Sequence, residues 1–201
     1  YLRNYKKLGH KIAFLSPCIA KSVEFQDGNT QGYIDYNVTI EKLMEYISQN
    51  GVSLSKFTAS DYDDENCGLG LTYSRPGGLR ENVEQCVGHD NVWIRQVEGI
   101  HEVCAYFDQY EERRRYRKSV PLLVDVLNCS HGCNLGTAAP SNTQLDQVDQ
   151  EMNRLKNQKL EKGPSEESLL ALFDRTLSLD DFIRGYTAQE SVVAEVSEDE
   201  I

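Results

Sequence analysis

Asn128-Cys129-Ser130-His131-Gly132-Cys133-Asn134-Leu135-Gly136-Thr137-Ala138 follows directly on Pro121-Leu122-Leu123-Val124-Asp125-Val126-Leu127, and the junction of these two stretches decides the fold. The apolar run has the length and composition of a buried strand. Two thiols leave its end on a glycine-rich loop. That setting suits a soft metal centre, because thiolates bind iron and glycines let backbone N–H groups approach the sulfurs. Cys-x3-Cys is not the Cys-x2-Cys of a zinc knuckle, and no second close cysteine pair completes a tetrahedral zinc site. A further ligand therefore comes from elsewhere in the chain.

Working outward, the same arrangement recurs near the start. Lys11-Ile12-Ala13-Phe14-Leu15-Ser16 is another apolar run, and Pro17-Cys18-Ile19-Ala20-Lys21-Ser22-Val23-Glu24 delivers a cysteine at its end. If both strands are parallel and lie in one sheet, their C-terminal ends share the edge where open α/β folds place ligands, and three thiols converge there.

Pro17-Cys18-x-x-Lys21-x-x-Glu24 with the downstream Cys129-x3-Cys133 resembles the second and third cysteine signatures in the C-terminal domain of the [FeFe]-hydrogenase large subunit. The resemblance covers residues 1–138. It takes in Cys67-Gly68-Leu69-Gly70-Leu71-Thr72-Tyr73-Ser74-Arg75-Pro76-Gly77-Gly78-Leu79, which is similar to the family's glycine-rich segment between those signatures. Segments 173–177 and 179–184 resemble the tail of the family's sensory branches.

The resemblance implies one lobe of the iron-only hydrogenase fold. It also implies an H-cluster in the full-length protein, in which Cys18 and Cys129 bind the [4Fe-4S] part and Cys133 bridges that cubane to the diiron subsite. By the same resemblance Lys21 pairs with a cyanide of the diiron subsite, Glu24 orients the loop around it, and Tyr73 is an aromatic close to that centre. The fourth cubane ligand and the proton-shuttling cysteine belong to an upstream signature outside this chain. A fragment folded but lacking its cluster is the expectation, with the N-terminal lobe and ferredoxin-like domains or other electron-transfer proteins as partners. Ser16 and Leu127 stand where catalytic members usually carry methionine, and Gly136-Thr137-Ala138 replaces most of a glycine triplet. Such changes alter the cluster's surroundings and hence its potential, which puts high turnover in question.

The 201 residues suffice for one domain and a tail. With 21 basic against 32 acidic residues the net charge is −11, which argues against nucleic acid and anionic membrane surfaces as partners. No apolar run approaches transmembrane length and no secretory signal opens the sequence, so a cytoplasmic protein is expected. The irregular spacing of the 6 cysteines fits reduced thiols better than a disulfide framework. Cys86 and Cys104 fall on apolar helix faces and are expected as small buried hydrophobes, while Cys67, in a loop, is ambiguous.

In chain order, residues 1–9 read as the end of a helix, with strands at 11–16 and 33–38 after it. Thr39 caps a helix whose apolar face is Ile40, Leu43, Met44 and Ile47, stopped by Asn50-Gly51. Gly77-Gly78 opens another helix, and its free N–H groups either face an anion or cluster sulfide or belong to a plain glycine turn. A strand at 92–97, a helix over 99–117 and the strand before Cys129 complete an alternating pattern. That pattern means parallel crossovers, a sheet covered on both faces, and a core that does not depend on metal. Residues 1–138 form this α/β domain, 139–164 an exposed helix or polar linker, and 165–201 short helices that dock on the domain plus an acidic tail.

Three functional classes compete. The first is an H-cluster redox protein that oxidises or evolves hydrogen or senses hydrogen or redox state. The second is a non-catalytic cluster-binding or assembly protein without a diiron subsite, for which Lys21 would have no cyanide to pair. The third is a thiol–disulfide regulator using Cys129 and Cys133, which leaves Cys18 without a role. His131, between the two ligands, either tunes the cluster or is a solvent-exposed turn histidine.

Overall fold

Two short parallel strand pairs carry the cysteine loops. The computed structural model describes residues 1–30, 32–60, 68–88, 92–162, 165–183 and 185, so Cys67 lies outside the described residues. In it β1 (Ala13–Ser16) pairs with β2 (Tyr36–Thr39), and β3 (Ile94–Glu98) pairs with β4 (Leu123–Leu127). The registers run from Ala13 opposite Tyr36 to Ser16 opposite Thr39, and from Ile94 opposite Leu123 to Glu98 opposite Leu127. Parallel neighbours require a crossover, supplied by α1 (Lys21–Glu24) in the first pair and α4 (Ile100–Arg115) in the second. The parallel, helix-flanked α/β class read from the sequence is the one observed. Its strands, however, divide into two sheets, so β1 and β4 do not share an edge.

Local signals place the helices. Thr39 Oγ1 accepts a hydrogen bond from the Lys42 N–H at 3.3 Å to start α2 (Ile40–Gln49), and Gly51, at φ +64°, follows its end. Gly77, also left-handed at φ +75°, turns the chain into α3 (Gly78–Val87). The polar stretch after 143 forms α5 (Leu145–Lys162), which buries Met152. Arg75 donates to Asn153 Oδ1 at 2.8 Å and Lys156 pairs with Glu81, joining α5 to α3 and to the 3-10 segment Gly68–Ser74. α6 (Glu166–Thr176) starts at Ser165, whose hydroxyl accepts from the Ser168 N–H at 3.2 Å. The 3-10 turn Leu179–Phe182 reaches the N-terminus: Tyr5 donates to Asp181 at 2.5 Å, accepts from the Ser178 N–H at 2.8 Å and stacks on Phe182.

Three expectations change. Residues 1–6 make a single hydrogen-bonded turn, with Tyr5 N–H on Tyr1 O at 2.8 Å, and Lys7 at φ +54° ends it. One isolated turn does not offset the cost of helix nucleation. Cys86 and Cys104 are exposed, because a periodic apolar face is covered only where another element lies against it. The apolar core is also small. Among the described residues it comprises Leu69, Ile94, Ala138, Met152 and Leu169, matched in number by the buried polar residues Ser16, Thr72, Asn82, Glu84 and Asp125. The described strands and helices therefore bury few apolar side chains. No helix among the described residues is long and apolar enough to cross a membrane.

Candidate metal centre

β1 ends on Ser16, which is buried although it follows the exposed Phe14 and Leu15. Its hydroxyl accepts the Cys18 N–H at 3.0 Å, and the Asn37 side chain of β2 donates to the Cys18 carbonyl at 2.9 Å. These bonds fix the turn that presents the Cys18 thiol. One turn later Lys21 forms an ion pair with Glu24, both ends about two-fifths exposed.

The second loop leaves β4 at Leu127, whose carbonyl accepts the Gly99 N–H at 3.0 Å. Gly132 bonds back to Cys129 O at 3.0 Å, and Cys133–Leu135 forms a 3-10 turn closed by the Gly136 N–H on Cys133 O at 2.9 Å. The two cysteine loops are stitched to each other. The Ala138 N–H donates to Pro17 O at 2.9 Å and the Ile19 N–H to Thr137 Oγ1 at 3.3 Å. A Cβ at Gly136 would lie 2.7 Å from Pro17 O and 2.8 Å from Cys133 O, so only glycine permits this approach. The two cysteine loops are thus joined by direct bonds between them rather than by a common sheet edge.

The glycine-rich segment forms the third wall. Gly132 has φ +79°, and a Cβ there would meet Pro76 Cδ at 2.6 Å and Ser74 O at 2.8 Å. Behind this contact Thr72 is fully buried and Asn82 donates to Leu69 O at 3.0 Å, to Thr72 Oγ1 at 3.0 Å and to Gly78 O at 2.7 Å. A Cβ on Gly78 would stand 2.5 Å from the Thr72 carbonyl carbon. The α3 amides are partly committed. Gly78 N–H donates to Arg75 O at 3.1 Å, and Arg80 N–H to the carboxylate of Asp125, which is 5% exposed, at 2.9 Å. Asp125 therefore supplies negative charge at the start of α3. Tyr73, in the same segment, is 53% exposed.

Burial pushes the Cys133 thiol above its ordinary pKa, Cys129 and Cys18 push the same way, and Lys21 pulls it down. The three sulfurs and this ammonium thus share one electrostatic neighbourhood. Among the described residues no three His, Cys, Asp or Glu side chains are gathered closely enough for a single metal ion. The Asn134 amide nitrogen is buried in this loop with no protein acceptor. Three thiols, a nearby cation and an unanswered donor suit an anionic iron–sulfur group. Cys86 and Cys104 lie on the exposed faces of α3 and α4. His131 is exposed and borders a polar cavity of about 580 Å³ with Arg75, Arg80, Glu81 and Asn153.

Sequence reasoning missed Asn37, Asn82, Asp125 and Asn134. Asp125 carried a visible signal, a lone carboxylate inside an apolar strand, whereas Asn37, Asn82 and Asn134 look like ordinary polar positions until their partners are known. Thr137 and Ala138, departures from the glycine triplet, prove structural: one staples the loops and the other is buried.

The family model for the C-terminal domain of the iron only hydrogenase large subunit matches residues 2–137. Among curated proteins no significant match was found. Similar solved structures include HydA(deltaEFG), which revealed stepwise [FeFe]-hydrogenase H-cluster assembly, at 14% identity and a TM-score of 0.50. Another concerns [FeFe]-hydrogenase oxygen inactivation through modification and degradation of the H cluster 2Fe subcluster, at 14% identity and a TM-score of 0.52. The alignments cover 76% and 87% of this chain and 55% and 60% of those chains. At that identity they show a shared fold, and the chain spans little more than half the length of these structures.

Proposed function

The chain belongs to the family defined by the C-terminal domain of the iron-only hydrogenase large subunit, and on that footing we propose that Cys18, Cys129 and Cys133 ligate an H-cluster-type iron–sulfur centre. The observation that carries this is the pair of hydrogen-bonded cysteine loops, which hold three thiols and Lys21 in one neighbourhood. When bound, such a group supplies electron exchange and, with a diiron subsite, reversible hydrogen oxidation or hydrogen sensing. Ser16 and Asn37 set the direction of the Cys18 thiol. Gly132 and Gly136 let the Cys129 and Cys133 loop close against both neighbouring segments. Lys21 offsets negative charge at the thiolates, and Glu24 holds its ammonium in place. Tyr73 and the Gly77-Gly78 turn flank the centre from the third wall.

The apolar residues left open around the Cys18 loop, Phe14, Leu15, Ile19, Val23 and Tyr36, are the surface against which a further lobe of the same protein packs. A four-thiolate cubane takes its remaining ligand from that lobe, and electron-transfer domains dock on the completed protein. In this reading the chain expressed alone folds without retaining a complete cluster.

A cluster-holding protein without the diiron subsite is the second reading. It is favoured by the Lys21–Glu24 ion pair, which occupies the ammonium that anionic ligands of a diiron subsite would take. Infrared spectroscopy of the matured protein separates the two. Carbonyl and cyanide bands that shift in Lys21→Ala support the first, and their absence from an iron-loaded protein supports the second.

A further inference from the structure

We infer that the Asn134 side-chain amide donates a hydrogen bond to the iron–sulfur centre held by Cys18, Cys129 and Cys133, which makes Asn134 a potential-setting residue of this site. The inference rests on the proposed function above and adds to it a contact that the cysteine signatures do not contain. Its basis is a buried donor that nothing answers: Asn134 Nδ2 is enclosed, and no acceptor lies within reach of it. Native proteins rarely leave such a group unpaired, because it loses its water on folding and gains nothing in return. A ligand at the site supplies what the chain does not.

Among the described residues two other enclosed side-chain polar atoms lack partners, and neither fits this role. Asn37 Oδ1 is an acceptor and has nothing to give an anionic sulfur, while its amide nitrogen is committed to Cys18 O at 2.9 Å. Arg3 Nε belongs to a guanidinium already bonded to Asp35, Leu8 O and His10 O. Only Asn134 combines an unanswered N–H with a place in the ligand loop itself, in the 3-10 turn that begins at Cys133. That turn is also held on both sides. Gly132 is pressed against Ser74 and Pro76, and Gly136 against Pro17, so the backbone bearing Asn134 has little room to swing its amide out to water. Thiolate and sulfide sulfurs accept N–H hydrogen bonds, and each such bond stabilises the more negative, reduced cluster and raises its potential.

The test is Asn134→Leu, which keeps the side chain's shape and removes the N–H. In the matured protein the variant is expected to keep the wild-type iron and sulfide content. Its cluster should have a lower midpoint potential and an altered electron paramagnetic resonance spectrum. In the cluster-free 201-residue chain the same substitution should raise the melting temperature, because it deletes a donor that has no partner there. An unchanged potential and spectrum in an iron-loaded variant would overturn the inference while leaving the proposed function intact. So would a lower melting temperature of the cluster-free chain, which would mean that the amide already has a partner. A wild-type protein that binds no iron–sulfur centre would overturn both.

Discussion

The two strand pairs are built alike and buried differently. In the β1–β2 pair Phe14, Leu15 and Tyr36 are 40%, 51% and 55% exposed, and only Ser16 of β1 is buried. In the β3–β4 pair Ile94 and Asp125 are buried, with α3 and α4 packed against the strands. One β-α-β plan thus gives a half with a core of its own and a half that depends on being covered. The Cys18 thiol is placed by bonds to the other loop, through Pro17 and Thr137, more than by packing beneath its own strand. A metal site shared between two such halves draws its rigidity from one of them.

The largest expected effect lies in the rigid half. Gly78→Ala forces a Cβ into the Thr72 carbonyl, and the whole Thr72–Asn82–Gly78 arrangement must shift, at about 3 kcal/mol in chemical denaturation. Leu15→Ala, in the other half, should cost less than about 1 kcal/mol, because half of the side chain is already in water. Equal costs would erase the asymmetry. Asp125→Ala ranks next, at about 2 kcal/mol, since it leaves the Arg80 amide without its buried acceptor; Asp125→Asn should recover part of this by still accepting.

Much of this was legible in the sequence and some was not. The apolar runs ending at Cys18 and Cys129 announced strand-then-loop units, and Thr39, Gly77 and Gly51 marked helix boundaries where they occur. What failed were statements about what lies on top of a pattern. Periodicity put Cys86 and Cys104 on helical stripes, yet says nothing of whether another element covers them. Strand order is likewise invisible in a run of apolar residues, so the single sheet edge was replaced by loop-to-loop bonding. Asp125 and Asn82 act through partners 45 and 13 residues away, a separation no local pattern encodes.

A smaller effect sharpens the comparison through pH. Asp35 is held below the ordinary carboxylate range, first by its hydrogen bond from Lys11, then by the Ile12 N–H and by the nearby charges of Lys11 and Arg3. A depressed folded-state pKa means that its contribution is fully present above the ordinary aspartate value and is lost as pH falls through the depressed one. The protection of the Ile12 amide, its exchange rate relative to the intrinsic rate at the same pH, should therefore fall on acidification through that window, and in Asp35→Ala it should be low throughout. Protection that follows pH identically in both would remove Asp35 as the clasp of the β1 side.

The most direct test of the central claim is the iron and acid-labile sulfide content of the matured protein, measured for Cys18→Ser, Cys129→Ser, Cys133→Ser and, as control, Cys104→Ser. The three loop substitutions are each expected to lose most of the cluster, while the exposed α4 thiol is replaced without loss. Full retention in any of the three loop variants, or equal loss in Cys104→Ser, would contradict a centre held jointly by the two stitched loops.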